Sequence, residues 1–251
     1  RAARDRLDLS DGGTITEVLE EFRPWAVINA AGWVRVDAAE DDPAACHAVN
    51  HLGPADLARA CAARGARTLN FSSDLVFDGT LDRPYHEDDQ PNPLGTYGQS
   101  KARLELALAG LPGNHLVIRT AAFFSPNDGY NFAMQAMADL ASGKAFAAAS
   151  DCCISPTYVP DLCRVALDLL LDGETGIWHL TNGTALTWHE LALQLAVATR
   201  LDPAPIVAAP ALQLGWRARR PANSALTSQR GLLMPPLDQA IERFAAQWLA
   251  K

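Results

Sequence analysis

The sequence predicts an α/β fold built on a doubly wound parallel sheet, and three observations predict it. Short apolar runs recur along the first half, at Trp25–Ala31, Arg67–Ser72 and Leu116–Thr120, the first and third rich in Val and Ile. Between them lie stretches with apolar residues at helical spacing. Small, hydroxyl and acidic residues follow the first two runs directly. Strands buried on both faces of a parallel sheet read as such runs, and strand–helix–strand alternation marks this class.

The elements follow in order. Ile15–Phe22 carries apolar residues at 15, 18, 19 and 22, with Thr14 as a candidate cap. Pro43–Arg64 is Ala- and Leu-rich and reads as one long helix stopped by Gly65. Ser100–Ala109 reads as a helix ending at Gly110. After residue 120 the rhythm changes. Asn131–Ala141 reads as a helix, Ser150–Pro160 as irregular, Val159–Leu171 as a helix stopped near Gly173, and Gly176–Thr181 as a strand. Thr187–Thr199 is a helix opened by a Thr-x-x-Glu capping box. Leu201–Pro221 reads as loops with a short helix, and Asp238–Leu249 as a last amphipathic helix. The expected division is a sheet domain from 1–121 and 151–185, and a smaller substrate-facing lobe from 122–150 and 186–251.

The 251 residues, 49% hydrophobic and 20% charged, suffice for a sizeable core. Lys and Arg number 21 against 29 Asp and Glu, a net charge of −8. That balance lacks the basic footprint of a nucleic-acid binder. No apolar run approaches the roughly 18–20 residues that span a bilayer, and Arg1–Ser10 is no secretory signal. The five cysteines, at 46, 61, 152, 153 and 163, form no Cys-x-x-Cys pair. A reducing cytoplasm is therefore expected, with no disulfide framework and no metal site. His47 and His51, four apart, are read as surface or satisfied histidines.

Three segments carry candidate chemistry. Asn29-Ala30-Ala31-Gly32 follows the first apolar run, and its small residues let a ligand approach the backbone closely. Ser72-Ser73-Asp74 follows the second, where ligands of open α/β sheets bind. Tyr97 and Lys101, four apart on a helix, share one face. An ammonium beside a phenol lowers the phenol's pKa and makes it a usable acid near neutral pH. Each segment alone is weak: a tight turn explains the first better, a turn cap the second equally well, and a solvated helix face the third better. Together, Ser73 and Tyr97 can address one carbonyl oxygen.

With these motifs the chain resembles the extended short-chain dehydrogenases/reductases, and within them the dTDP-4-dehydrorhamnose reductase group. Further matches are Val36-Asp37-Ala38-Ala39-Glu40, Val49-Asn50, Pro84-Tyr85-His86-Glu87-Asp88, Arg119-Thr120, Asn131-Phe132, and Arg220-Pro221 with Asn223-Ser224. The resemblance implies a Rossmann-type fold and reduction of the 4-keto group of a nucleotide-linked deoxysugar by NADPH or NADH, in activated-sugar biosynthesis. It implies Ser73, Tyr97 and Lys101 as catalytic residues. It also implies that Ala30, Ala31, Gly32, Trp33 and Val34, with Tyr97 and Lys101, hold the cofactor. Ser73, Asp74, Ala122, Asn131 and Arg220 would meet the substrate. The rival reading is a non-catalytic dinucleotide- or nucleotide-sugar-binding regulatory module. An epimerase or dehydratase is disfavoured, because Leu75 stands where dehydratases add a second acid.

The chain departs from the family in three places. Its first strand, glycine-rich loop and helix, which hold the pyrophosphate, are expected to be absent, so cofactor binding by this chain alone is left open. Of three explanations, a longer protein of which this chain is a part, which could carry an N-terminal domain fused upstream, is expected over supply of the strand by a partner chain and over loss of cofactor binding, and an oligomer is compatible with it. Ala122 stands where the family offers an aromatic ring, with Phe123, Phe124 or Trp33 as substitutes. Asp151-Cys152-Cys153-Ile154-Ser155-Pro156-Thr157 replaces a glutamine and a glycine of the pattern.

Overall fold

The structure, a computed structural model, describes residues 6–9 and 11–250. The expectation for Arg1–Asp11 therefore lies largely outside the described residues. Helix α1 (Gly12–Phe22) is capped by Asp11, whose Oδ1 accepts the Gly13 N–H at 2.8 Å. Thr14, the expected cap, instead turns its hydroxyl to the Asp8 carbonyl at 2.9 Å. Strand β1 (Ala26–Asn29) follows. The long helix expected over 43–64 is interrupted. It runs as α2 (Pro43–His47), one π turn (Ala48–Leu52) and α3 (Gly53–Ala62). The buried Asn50 sits in that turn. Such turns often accompany functional sites, and an Ala/Leu periodicity does not reveal one.

Strand β2 (Arg67–Ser73), helix α4 (Thr96–Ala109) and strand β3 (His115–Thr120) come next. Beyond them lie β4 (Phe123–Phe124), α5 (Phe132–Ala141), β5 (Phe146–Ala149), β6 (Cys153–Ile154), β7 (Thr157–Tyr158) and α6 (Val159–Asp172). The chain closes with β8 (Gly176–His179), β9 (Leu186–Thr187), α7 (Trp188–Ala198), β10 (Ile206–Ala209) and α8 (Leu237–Leu249). Gly173 ends α6 at φ +82°, as a left-handed cap should. Thr187 and Glu190 form the reciprocal capping box at α7.

The main sheet has the order β1-β2-β3-β8, and every pairing is parallel. Side-chain alternation feeds both faces. Leu116 and Ile118 pack with Leu162, Val165 and Leu169 of α6, whereas Val117 packs with Ala58 of α3 and Leu104 of α4. That is the two-sided burial of the predicted doubly wound fold. At the β1 edge, Ile28 is 44% exposed, and Trp25 beside it 59%.

A second core gathers Phe124, Met137 of α5, Leu195 of α7 and Phe244 of α8. Beneath it, β5 and β10 pair in parallel. Residues 201–221 are thus not only loops with a short helix. Strand β10 was illegible because it is four residues long and half alanine, its partner β5 has three alanines in four residues, and such segments have weak strand preference. Among the described residues no helix is long and apolar enough to cross a membrane, and no group of three or more His, Cys, Asp or Glu is placed to hold a metal. The five cysteines are free thiols.

Candidate active site

The carboxyl ends of β1 and β2 open into a cavity of about 590 Å³. Asn29 starts it. Its Nδ2 donates to Asn70 Oδ1 at 3.0 Å across the β1–β2 pair, and its Oδ1 accepts the Ala31 N–H at 3.1 Å. The chain thereby turns out of the sheet into Ala30–Gly32. Asn50 receives this loop: its Oδ1 accepts the Trp33 N–H at 2.8 Å, and its Nδ2 donates to Ser100 Oγ at 3.1 Å. One buried amide, absent from the candidate residues, thus ties the loop to α4.

Helix α4 brings Tyr97 and Lys101 to the same cavity. Glu40 accepts the Thr96 N–H at 2.7 Å and the Thr96 hydroxyl at 3.1 Å, satisfying donors at the helix start. Gly98 sets how close the helix comes. A Cβ there would lie 2.0 Å from the Leu75 carbonyl oxygen, so only glycine permits this contact. The contact presses α4 against the turn after β2, where Ser73 and Asp74 sit.

Ser73 borders the cavity with Tyr97, and its Oγ donates to Asp74 Oδ1 at 2.9 Å. Ser224 Oγ donates to the other carboxylate oxygen of Asp74 at 2.5 Å. Burial pushes the Asp74 carboxyl up to about 6, with Ser224 and Ser73 opposing. Lys101 Nζ donates to the Phe71 carbonyl at 3.0 Å and lies 5.8 Å from the Tyr97 ring centroid. Burial draws its pKa down to about 8. The Tyr97 phenol is raised, first by burial and then by the Asp74 charge. The expected lowering by Lys101 is therefore not what this arrangement produces. Spacing along a helix predicts a shared face, but burial decides the sign.

A family described as RmlD substrate binding domain matches residues 1–241. The chain belongs to that family. A dTDP-4-dehydrorhamnose reductase of Streptomyces griseus is 36% identical over 233 residues, covering 90% of this chain and 76% of that protein. One of Mycolicibacterium smegmatis is 37% identical over 208 residues, covering 81% of this chain and 63% of that protein. Among solved structures, the dTDP-4-dehydrorhamnose reductase of Bacillus anthracis in complex with NADP superposes with a TM-score of 0.92. It is 26% identical, and the match covers 98% of this chain and 89% of that one. These matches agree with the Rossmann-type fold and with a family of sugar reductases.

Within this RmlD-family chain the other candidates divide. Ala30, Ala31, Gly32, Val34, Ala122 and Arg220 line the cavity. Ala122 does so at φ +42°, a left-handed conformation unusual for a residue with a side chain. Trp33 and Asn131 are not among the lining residues. Asn131 caps α5, its Oδ1 accepting the Met134 N–H at 3.0 Å while its Nδ2 donates to the Ser125 and Asp128 carbonyls. Phe123 lines the cavity, as expected of a substitute ring, but Phe124 lies in the second core. Trp188, Phe132 and Trp216 supply further rings that the sequence reading missed. Trp188 stands directly behind the capping-box Thr187, and its rings meet those of Phe132 at 4.7 Å.

Proposed function

We propose that this chain carries the catalytic residues of an NAD(P)H-dependent reductase that converts the 4-keto group of a nucleotide-linked deoxysugar to an alcohol. The observation that supports it is the convergence of Ser73, Tyr97 and Lys101 on one cavity at the strand ends. The reductase activity of its relatives, and the NADP held by the B. anthracis reductase, support the same reading. The setting is activated-sugar biosynthesis in the cytoplasm.

The residues present fit the nicotinamide-riboside end of the cofactor. Lys101 Nζ spends one of its three protons on the Phe71 carbonyl and borders the cavity, so donors remain for ribose hydroxyls. Gly32 lies beside it: a Cβ there would come within 3.7 Å of Nζ. The pyrophosphate end differs, because among the described residues no glycine-rich strand–loop–helix is present, and the early Gly12-Gly13 pair opens a helix capped by the acidic Asp11. When bound, the nicotinamide supplies hydride to the ketone carbon.

Every other task falls to side chains. Tyr97 gives its phenolic proton to the ketone oxygen as negative charge develops there. Ser73 donates a hydrogen bond to the same oxygen, a preorganised stabilisation of the developing charge. Lys101 fixes the ribose and keeps a positive charge near the phenol. Asp74, Phe123 and Arg220 border the sugar and its phosphates.

The test is consumption of NADPH by the protein with dTDP-4-keto-6-deoxy-L-mannose. Turnover that falls about 10²–10⁴-fold in Tyr97→Phe is expected for a lost general acid. Tight NADPH binding with no turnover would turn the reading into that of a binding module.

A further inference from the structure

Tyr97 stands at the end of a line formed by Ser73, Asp74 and Ser224, of which the proton transfer to the ketone uses only Ser73. Ser73 borders the cavity with Tyr97, and its Oγ accepts the Leu75 N–H at 3.1 Å and donates to Asp74 Oδ1 at 2.9 Å. Ser224 Oγ closes the line on Asp74 Oδ2 at 2.5 Å. Asp74 is 6% exposed and borders the cavity. From α4 it is faced by Tyr97, from its own turn by Ser73 and the Leu75 backbone, and from the 220–224 segment by Ser224. Among the described residues no Lys, Arg or His forms an ion pair with it.

A phenol that has given up its proton is left as a phenolate in an enclosed site beside a carboxyl. It must be recharged before the next substrate arrives. Resting on the reductase reading, we propose that Asp74 is the proton store that recharges Tyr97 through Ser73, and that Ser224 positions its carboxyl for that transfer. The Tyr97 O–H bond breaks as the O–H bond of the product alcohol forms. The phenolate takes the Ser73 Oγ proton, and Oγ takes the carboxylic proton of Asp74. Phenol and serine are restored, Asp74 is left a carboxylate, and a solvated proton from the bulk, entering through the cavity that Asp74 borders, protonates it again. No electrons move in these steps. With its pKa brought up to about 6, Asp74 holds a proton part of the time near neutrality. Transfer to a phenolate whose acid form lies far higher runs downhill.

Infrared titration of the unliganded full chain reads the store directly. The expected result is a carboxylic C=O band with a midpoint at about pH 6, missing in Asp74→Asn. Ser224→Ala removes a donor that favours the carboxylate and moves the midpoint up by roughly one pH unit, and Ser224→Thr restores it. A site ionised throughout pH 5 to 8, or a midpoint indifferent to Ser224→Ala, would overturn the proposal. Stopped-flow kinetics read the recharging. In Asp74→Asn turnovers after the first are at least tenfold slower than that variant's own first turnover, giving a burst of one NADPH per site that wild type does not show. Equal slowing of first and later turnovers, or no slowing at all, overturns the store. A wild-type chain with no turnover faults the reductase reading instead.

Discussion

Arg220 is held by Asp37: its Nη2 lies 3.0 Å from Asp37 Oδ1, and its guanidinium carbon sits 5.1 Å from the Trp216 ring centroid. The same carboxylate oxygen accepts the Ala218 N–H at 3.1 Å. Arg217 pairs with Asp41 one turn further on. The acidic 37–41 segment therefore straps the 216–220 loop to the domain that carries Tyr97, and Glu40 of the same segment caps α4.

The first prediction concerns this strap. A guanidinium held on one side by a carboxylate and on one face by an indole presents its remaining donors in a fixed direction. Asp37→Ala removes the carboxylate that holds Arg220 and the Ala218 N–H, leaving the Trp216 contact and Ser73, Tyr97 and Lys101 in place. KM for the nucleotide sugar should rise about 5- to 20-fold while kcat stays within about twofold, the pattern of lost uniform binding. Steady-state kinetics decide it. An equal fall in kcat and kcat/KM would place the strap's effect in the chemical step.

Gly98 carries the second. An alanine Cβ would stand 2.0 Å from the Leu75 carbonyl oxygen, a backbone atom that moves only with its turn. Helix α4 must then retreat from Ser73 and Asp74. Gly98→Ala should destabilise by about 1–3 kcal/mol, the range for overpacking. It should also lower kcat more than the exposed control Gln99→Ala. Urea denaturation and kinetics on the two variants make the comparison.

Lys101 carries the third, and its sign is opposite to that of most core substitutions. Burial lowers its pKa to about 8 against an ordinary 10.5. The folded state thus prefers the neutral amine, and carries the full penalty below pH 8. The penalty fades as pH rises from about 8 to 10.5. Lys101→Met should therefore be more stable than wild type by about 1–3 kcal/mol at pH 7, with the gap closing toward pH 10.5. Denaturant midpoints at pH 7 and 10 measure it. A variant less stable at pH 7 would mean that the bond to the Phe71 carbonyl outweighs desolvation.

What was readable in the sequence divides along physical lines. Local chemistry was readable. Tyr97 and Lys101 share a helix face because 3.6 residues make a turn, and Thr187 with Glu190 declares a helix start. Val- and Ile-rich runs declare buried strands, so the sheet and the helices on it were expected. Contacts made across the chain were not readable. Ser224 reaches Asp74 over 150 residues, and no spacing rule foretells that. Asn131 looked like a ligand-facing amide, yet it caps α5 because the chain turns there. The π turn around Asn50 was hidden because alanine and leucine suit either helix. The Tyr97 shift was misjudged because a charge partner can be read from a sequence, whereas the depth of burial that outweighs it belongs to the folded chain.

The last prediction lies behind the site, beneath Ser72. Arg119, 1% exposed, makes a two-pronged pair with Glu105, with Nε to Oε1 at 2.9 Å and Nη2 to Oε2 at 2.7 Å. Ser72 also donates to Glu105, which links the pair to the strand end that presents Ser73. Arg119 Nη1 lies 3.3 Å from His179 Nε2, and His179 Nδ1 lies 2.9 Å from the Thr227 carbonyl. Those partners assign the tautomer: Nδ1 carries the proton, and Nε2 accepts from the guanidinium. Protonating Nε2 would set an N–H and a positive charge against Arg119. Burial first, and Arg119 second, accordingly depress the His179 pKa to about 4. Its folded pKa lies below the ordinary 6.5, so the unfolded chain takes up the proton first as pH falls. The stability that neutral His179 gives is complete above pH 6.5 and is lost as pH drops through 6.5 toward 4, by about 3 kcal/mol. His179→Gln keeps an acceptor toward Arg119 and does not titrate, so its stability should change less over that window. Urea midpoints of the two proteins between pH 7 and 4 should converge as pH falls. Parallel curves would show that the acid sensitivity of the fold arises elsewhere.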